Sequence, residues 1–122
     1  MIQYFKSILQ QETSAVVICD LSHKILYMNP SACRRYRQYG AEALVGRNLL
    51  ECHNKQSGEM INRVLDWFYS SPSHNRVHTF YNEKENKDVY MVALRNEQGT
   101  LIGYYEKHEY RDRDVTPLYE ME

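Results

Sequence analysis

Strand-like runs lie at both ends of this chain with helical ones between them, and that distribution restricts the fold more than any other feature. Residues 15–20 (AVVICD) and 25–28 (ILYM) are compact apolar runs on either side of the polar connector Leu21-Ser22-His23-Lys24, the pattern of a β-hairpin. Towards the other end, residues 77–81 alternate, 89–94 are almost continuously apolar and 101–105 form a third run. Residues 82–87 and Asn96-Glu97-Gln98-Gly99 supply the turns between them. Two strands, short helical pieces, then three strands predict an α+β domain: one five-stranded antiparallel sheet over residues 15–110 with its helices on a single face.

The helical middle has legible punctuation. Asn29 suits an N-cap and Pro30 a first turn, so a helix SACRRYRQY is expected to run towards Gly40. Residues 41–45 form a second short helix, with Gly46 in a left-handed C-terminal position. The following segment, RNLLECHNKQ, shows no period. Ser57 is the expected N-cap of a longer helix with Glu59 in its first turn, and Met60, Ile61, Val64, Leu65 and Phe68 recur along it as one apolar stripe. Ser70-Ser71-Pro72 ends it, because proline cannot continue a helix. At the N-terminus Ile2, Phe5, Ile8 and Leu9 have helical spacing and predict a short amphipathic helix.

Length and composition narrow the function classes. A chain of 122 residues suits one domain, and 43% hydrophobic with 25% charged residues argues against disorder. Fifteen Lys and Arg against sixteen Asp and Glu give a net charge of −1, which removes the electrostatic reason to expect a nucleic-acid partner. No apolar run approaches the ~18–20 residues needed to span a membrane, and MIQYFKSILQQE is not a secretory leader, so the expected location is the cytoplasm. Cys19, Cys33 and Cys52 are an odd count at wide spacings, a poor basis for a disulfide framework or a structural zinc site. Eleven tyrosines are the compositional anomaly; their rings suit sheet faces, interfaces and pockets. Nothing matches a serine nucleophile elbow, a P-loop or a dinucleotide-binding turn, and the runs Glu83-Lys84-Glu85 and Arg111-Asp112-Arg113-Asp114 read as solvated charge, so no enzyme is expected.

DLSHKILYMNPSACRRYRQYGAEALVGRNLL resembles the front half of a PAS domain, with its acid-led hairpin, its tyrosine-x-asparagine-proline opening to the first helix and its short helix ending in Val-Gly. NEQGTLIGYYE resembles that family's final hairpin, with Gly99 in the turn and Gly103 early in the last strand. DVTPL, residues 114–118, is similar to the short motif that often closes such domains. The resemblance implies a PAS domain over residues 14–116, flanked by a helical segment, 1–13, and a tail, 117–122. It also implies a sensory or interaction module that holds a ligand between sheet and helices, dimerises through flanking helices or the outer sheet face, and signals through contacts with another protein. The photochemical flavin branch of the family carries Asn-Cys-Arg-Phe-Leu-Gln; LLECHNKQ does not match it, although Cys52 lies nearby, so flavin is not expected.

Haem b is the sharper implication. LVGRNLLECHNKQSGEMINRVL resembles the corresponding stretch of haem-binding PAS domains in soluble chemoreceptors, where a histidine a few residues beyond the short helix's glycine ligates iron. It also resembles PAS modules that accompany hemerythrin-like domains, which carry a Cys-His pair there. The resemblance makes His53, seven residues after Gly46, the proximal ligand, with Met60, Ile61, Val64, Leu65 and Phe68 as an apolar wall. The plainer readings are a solvent-exposed loop histidine and ordinary helix core. Alternation puts Tyr104, Glu106 and His108 on one face of the last strand; if that face is inward, Tyr104 lines the pocket and His108 is a distal group, a sixth ligand or a donor to a bound gas. His74 and His78 straddle a strand start and span ~13 Å, too far to share an ion, while His23 and His74 are placed in connecting loops. The competing functional readings are a cofactor-free module and a pocket for another small organic ligand. A homodimer through the N-terminal helix and Tyr104, Tyr105 and Tyr110 is expected in either case.

Overall fold

The computed structural model describes residues 1–121; Glu122, the last residue of the expected tail, lies outside them. After an N-terminal helix, α1 (Ile2–Gln11), come β1 (Ala15–Asp20) and β2 (Ile25–Met28), then α2 (Pro30–Arg35). Three 3₁₀ turns at Arg37–Tyr39, Ala41–Leu44 and Leu49–Cys52 lead into α3 (Lys55–Ser70), and β3 (Arg76–Asn82), β4 (Lys87–Arg95) and β5 (Leu101–Tyr110) complete the chain's regular structure. The five strands form one antiparallel sheet in the order β2-β1-β5-β4-β3. That agrees with the α+β architecture expected from the strand grouping. None of the described helices is long and apolar enough to cross a membrane.

The last strand is central, and a glycine permits its pairing. Register brings Asp20 opposite Gly103 across β1 and β5, where a Cβ would collide with the Cys19 carbonyl oxygen. Glycine's missing side chain lets the two backbones close up at the start of β5. The inner face of the sheet then supplies Val17, Cys19, Met91 and Tyr104 to a core completed by Ala32 of α2, Leu44, Leu49, and Ile61, Leu65 and Phe68 of α3.

Asn29 joins three elements at one point. Its Oδ1 accepts from Ala32 N, capping α2, and from Val16 N in β1, both at 2.9 Å. Its Nδ2 donates to the carbonyls of Ser14 at 2.9 Å and Leu9 at 3.1 Å, which ties down the C-terminal end of α1. Pro30 fills the first helical position, where its missing N–H costs nothing.

Several boundaries differ from the sequence expectations. The helix expected to run to Gly40 stops at Arg35 and tightens into the Arg37–Tyr39 turn before Gly40 takes a left-handed φ of 116°. The short helix before Gly46 is 3₁₀ rather than α, with Gly46 left-handed as its position suggested (φ 93°). Ser57 is not the cap of α3. Asn54 is, with its Oδ1 accepting from Ser57 N at 2.8 Å, so the helix begins at Lys55. β5 extends to Tyr110 because pairing with both β1 and β4 carries the polar half of the strand. α1 leaves Ile2, Phe5 and Ile8 exposed, so its apolar face is largely uncovered by its own sheet.

Candidate functional site

A cleft of about 540 Å³ opens between the first half of α3, the His53 segment and the inner face of β3–β5. Alternation and one irregularity build it. In β5 the register is unbroken from Gly103 to Tyr110, so Tyr104, Glu106 and His108 share one face, as their spacing predicted, and that face is the inner one. In β4 the same period places Lys87, Val89 and Met91 inward. On the edge strand β3 a register shift between His78 and Phe80 accommodates Thr79 as an extra residue. It returns Phe80 to the inner face beside Val89, where the ring is 60% exposed at the rim.

The apolar walls are Met60, Ile61 and Val64 on α3 facing Val77, Val89 and Met91 on the sheet. The polar groups are concentrated around β5. Glu106 is buried and its Oε1 accepts from the Tyr36 hydroxyl at 3.2 Å and from His108 Nε2 at 3.2 Å. Burial pushes this carboxyl up, but the hydrogen bond and charge of His108, with His53 and Tyr36 behind them, outweigh it and hold it below the usual range. It is therefore a carboxylate at neutral pH. His108 is 4% exposed, and its second nitrogen, Nδ1, is buried with no hydrogen-bond partner among the described residues.

His53 follows the Leu49–Cys52 turn, whose last residues aim it at the cleft it lines. Its Nδ1 lies 3.0 Å from the Leu49 carbonyl oxygen. A carbonyl only accepts, so Nδ1 carries a hydrogen, and in the neutral ring the lone pair is then on Nε2. Lys87 and Arg35 are the basic groups of the wall. The Lys87 side chain is 1% exposed, with Nζ 3.3 Å from Glu85 Oε2, and Glu85 also pairs with Arg35 at 3.1 Å.

No family model matches the chain, and no curated protein matches it. Solved structures do. A PAS domain of a protein from Colwellia psychrerythraea superposes with a TM-score of 0.66 at 14% identity, covering 90% of this chain and 96% of that one. The fold is that of a PAS domain. A C-terminal domain from Streptococcus mutans gives a TM-score of 0.67 at 19% identity over 89% of this chain and 84% of its own. The Aer2 receptor of Vibrio cholerae, described as a dual PAS-heme oxygen sensor, gives 0.56 at 17% identity, covering 78% of this chain and 91% of that one.

Within this PAS fold the residues singled out from sequence separate into two groups. His53, Met60, Ile61, Val64 and His108 come together around the cleft. Leu65, Phe68 and Tyr104 do not line it: they lie deeper, in the core between α3 and the sheet. The reason is depth along the helix, since one continuous stripe reaches from the open end of the cleft to the closed core. Tyr104 has a different partner altogether. His23, expected in an unremarkable loop, is 8% exposed and joins the Tyr104 hydroxyl to Nδ1 at 2.9 Å and Asn62 Oδ1 to Nε2 at 2.8 Å. Asn62 Oδ1 must accept, so Nε2 carries the hydrogen and Nδ1 receives the Tyr104 O–H. His74 stacks on Trp67 with ring centroids 3.9 Å apart, and His78 pairs with Asp88 at 2.7 Å, so each has its own partner.

Sequence reasoning missed Lys87, Glu85 and Arg35 as site residues. Lys87 was placed in a turn; the signal for it was its period-2 relation to Val89 and Met91, which puts it on the inner face. Glu85 and Arg35 are brought together from positions 50 residues apart and left no local trace.

Proposed function

We propose that this PAS-fold chain is a sensory domain without catalytic activity of its own, that its cleft takes haem b with Nε2 of His53 as the proximal ligand, and that it reports haem, a gas or redox state by contact with another protein. The observation that carries this reading is the hydrogen bond from His53 Nδ1 to the Leu49 carbonyl. It selects the tautomer a metal-ligating imidazole needs, orients the ring and raises the basicity of the remaining nitrogen. Met60, Ile61, Val64, Val77, Val89 and Met91 give the cleft a largely apolar surface, and its volume of about 540 Å³ lies within the usual range for cofactor sites. Haem iron, when bound, supplies an exchangeable coordination position and a one-electron couple. His108 is the distal candidate. Glu106 holds its Nε2, which leaves the buried, unpartnered Nδ1 as the nitrogen free to act.

Titration of the purified chain with haemin, followed by absorbance, tests the reading. A sharp Soret band with a stoichiometric end point is expected. His53→Ala should weaken binding more than tenfold, which is more than ~1.4 kcal/mol. His74→Ala should leave the spectrum unchanged, and His108→Ala should alter only sixth-ligand features. An unaltered band and affinity in His53→Ala would sink the assignment and favour a cofactor-free module.

The proposal extends to a homodimer. Ile2, Phe5 and Ile8 are more than half exposed on a ten-residue helix, which is too short to be stable in water without packing. A second copy would cover that face. Sedimentation at tens of micromolar should show a dimer that Phe5→Glu dissociates; a monomeric wild-type chain would refute it.

A further inference from the structure

Lys87 begins β4 and faces inward with Val89 and Met91, which buries its full length against the cleft. An ammonium has three N–H donors, and burying one without acceptors is costly. Its one ion-pair partner among the described residues is Glu85, with Oε2 at 3.3 Å and outside hydrogen-bonding geometry. That oxygen is already committed, because it also receives Arg35 Nη1 at 3.1 Å and Asn82 Nδ2 at 2.9 Å. The other carboxylate of the wall, Glu106, is occupied by Tyr36 and His108. Two cations thus share one carboxylate, the trio Arg35, Glu85 and Lys87 carries a net positive charge, and Lys87 Nζ is left without a hydrogen-bond acceptor among the described residues in the wall of the cleft.

We infer that Lys87, with Arg35 beside it, is a carboxylate subsite, so that the ligand of this cleft is an amphiphilic acid whose carboxylate bonds Lys87 Nζ while its apolar body packs between α3 and β4. The inference rests on the cleft being the ligand site proposed above, not on the ligand being haem. The propionate groups of haem and the head of a fatty-acid-like molecule offer the same chemistry. A bound carboxylate also reverses the push of burial and of the Arg35 charge, which hold the Lys87 pKa below its ordinary range.

The test compares two pairs of probes on the full chain, each pair differing in one functional group. Haemin is set against haemin dimethyl ester by absorbance titration, and decanoate against decanol by calorimetry. The wild-type chain should prefer the acid at least tenfold in one pair. Lys87→Met keeps the unbranched stem and should abolish that preference. Glu85→Gln removes the competing negative charge at a half-buried position and should increase it, which damage to the fold would not do. Preference for decanoate with no binding of haemin upholds the subsite and overturns the haem reading. Equal binding of haemin and its ester, with no preference for decanoate, overturns the subsite and leaves the haem reading standing. Binding of none of the four probes overturns both. Full preference retained in Lys87→Met overturns the subsite, and if that variant does not fold, an unchanged preference in Glu85→Gln does so.

Discussion

Replacing Asn29 with alanine should be among the most damaging single changes at a polar residue in this protein. The side chain is fully buried and makes four strong contacts: it accepts from Ala32 N and Val16 N and donates to the carbonyls of Ser14 and Leu9. Loss of an N-cap alone costs about 1 kcal/mol. The Val16 N–H lies in a residue only 3% exposed, and a buried donor left without an acceptor costs about 1–3 kcal/mol more. The two carbonyls lie nearer the surface, where water can replace the lost donor at lower cost. The total is about 2–4 kcal/mol, a large part of the ~5–15 kcal/mol that holds a domain together, and corresponds to a fall of about 7–15 °C in Tm. Asn54→Ala is the control. Asn54 caps α3 with a single bond to Ser57 N at an exposed position and should cost only about 1 kcal/mol. Urea titrations of both variants, read by circular dichroism, measure the difference. If Asn29→Ala costs no more than Asn54→Ala, the side chain acts only as a helix cap, and the account of it as the junction of α1, α2 and β1 is wrong.

Gly103→Ala should destabilise the fold by about 2 kcal/mol, because the added Cβ meets the fixed Cys19 backbone rather than a movable side chain; an unchanged urea midpoint would contradict the close approach of β1 and β5. Asp88 should contribute to acid lability. The hydrogen bond from Arg111 at 2.6 Å, followed by the charges of His78 and Arg111, holds its carboxyl below the ordinary value. A depressed carboxyl stabilises the folded state above the unfolded pKa of about 4, and that contribution disappears as pH falls through the folded value. The stability gap between the wild-type chain and Asp88→Asn should therefore be open at pH 7 and close towards pH 3, and a gap constant across that range would refute the linkage.

Much of the architecture follows from short-range patterns. The hairpin at residues 15–28, the three later strands, the Asn29-Pro30 start of α2 and the stop before Pro72 all rest on periods of two residues, caps and proline sterics, which act within a few positions. That Tyr104, Glu106 and His108 share one face was legible for the same reason, since the alternation of a strand is local and no bulge interrupts it; that the face is the inner one came from the packing of β5 under the helices. The candidate site was only half legible. Met60, Ile61, Val64, Leu65 and Phe68 make one stripe in sequence, but whether each meets a cleft or a core depends on how far along the sheet α3 lies, and helical periodicity carries no such information. The errors at His23 and Lys87 have a common origin. His23 is buried because Tyr104, 81 residues away, and Asn62 take its two nitrogens, and Lys87 is buried on the inner face with Glu85 as its ion-pair partner, an acid that Arg35 also engages from 50 residues away. Polar residues near turns ordinarily face water, and only partners delivered by the tertiary fold make their burial tolerable. The sequence by itself determined which segments are strands and helices and which residues share a face; the crossing of those segments decided which face turned inward and which polar groups were left to face the cleft.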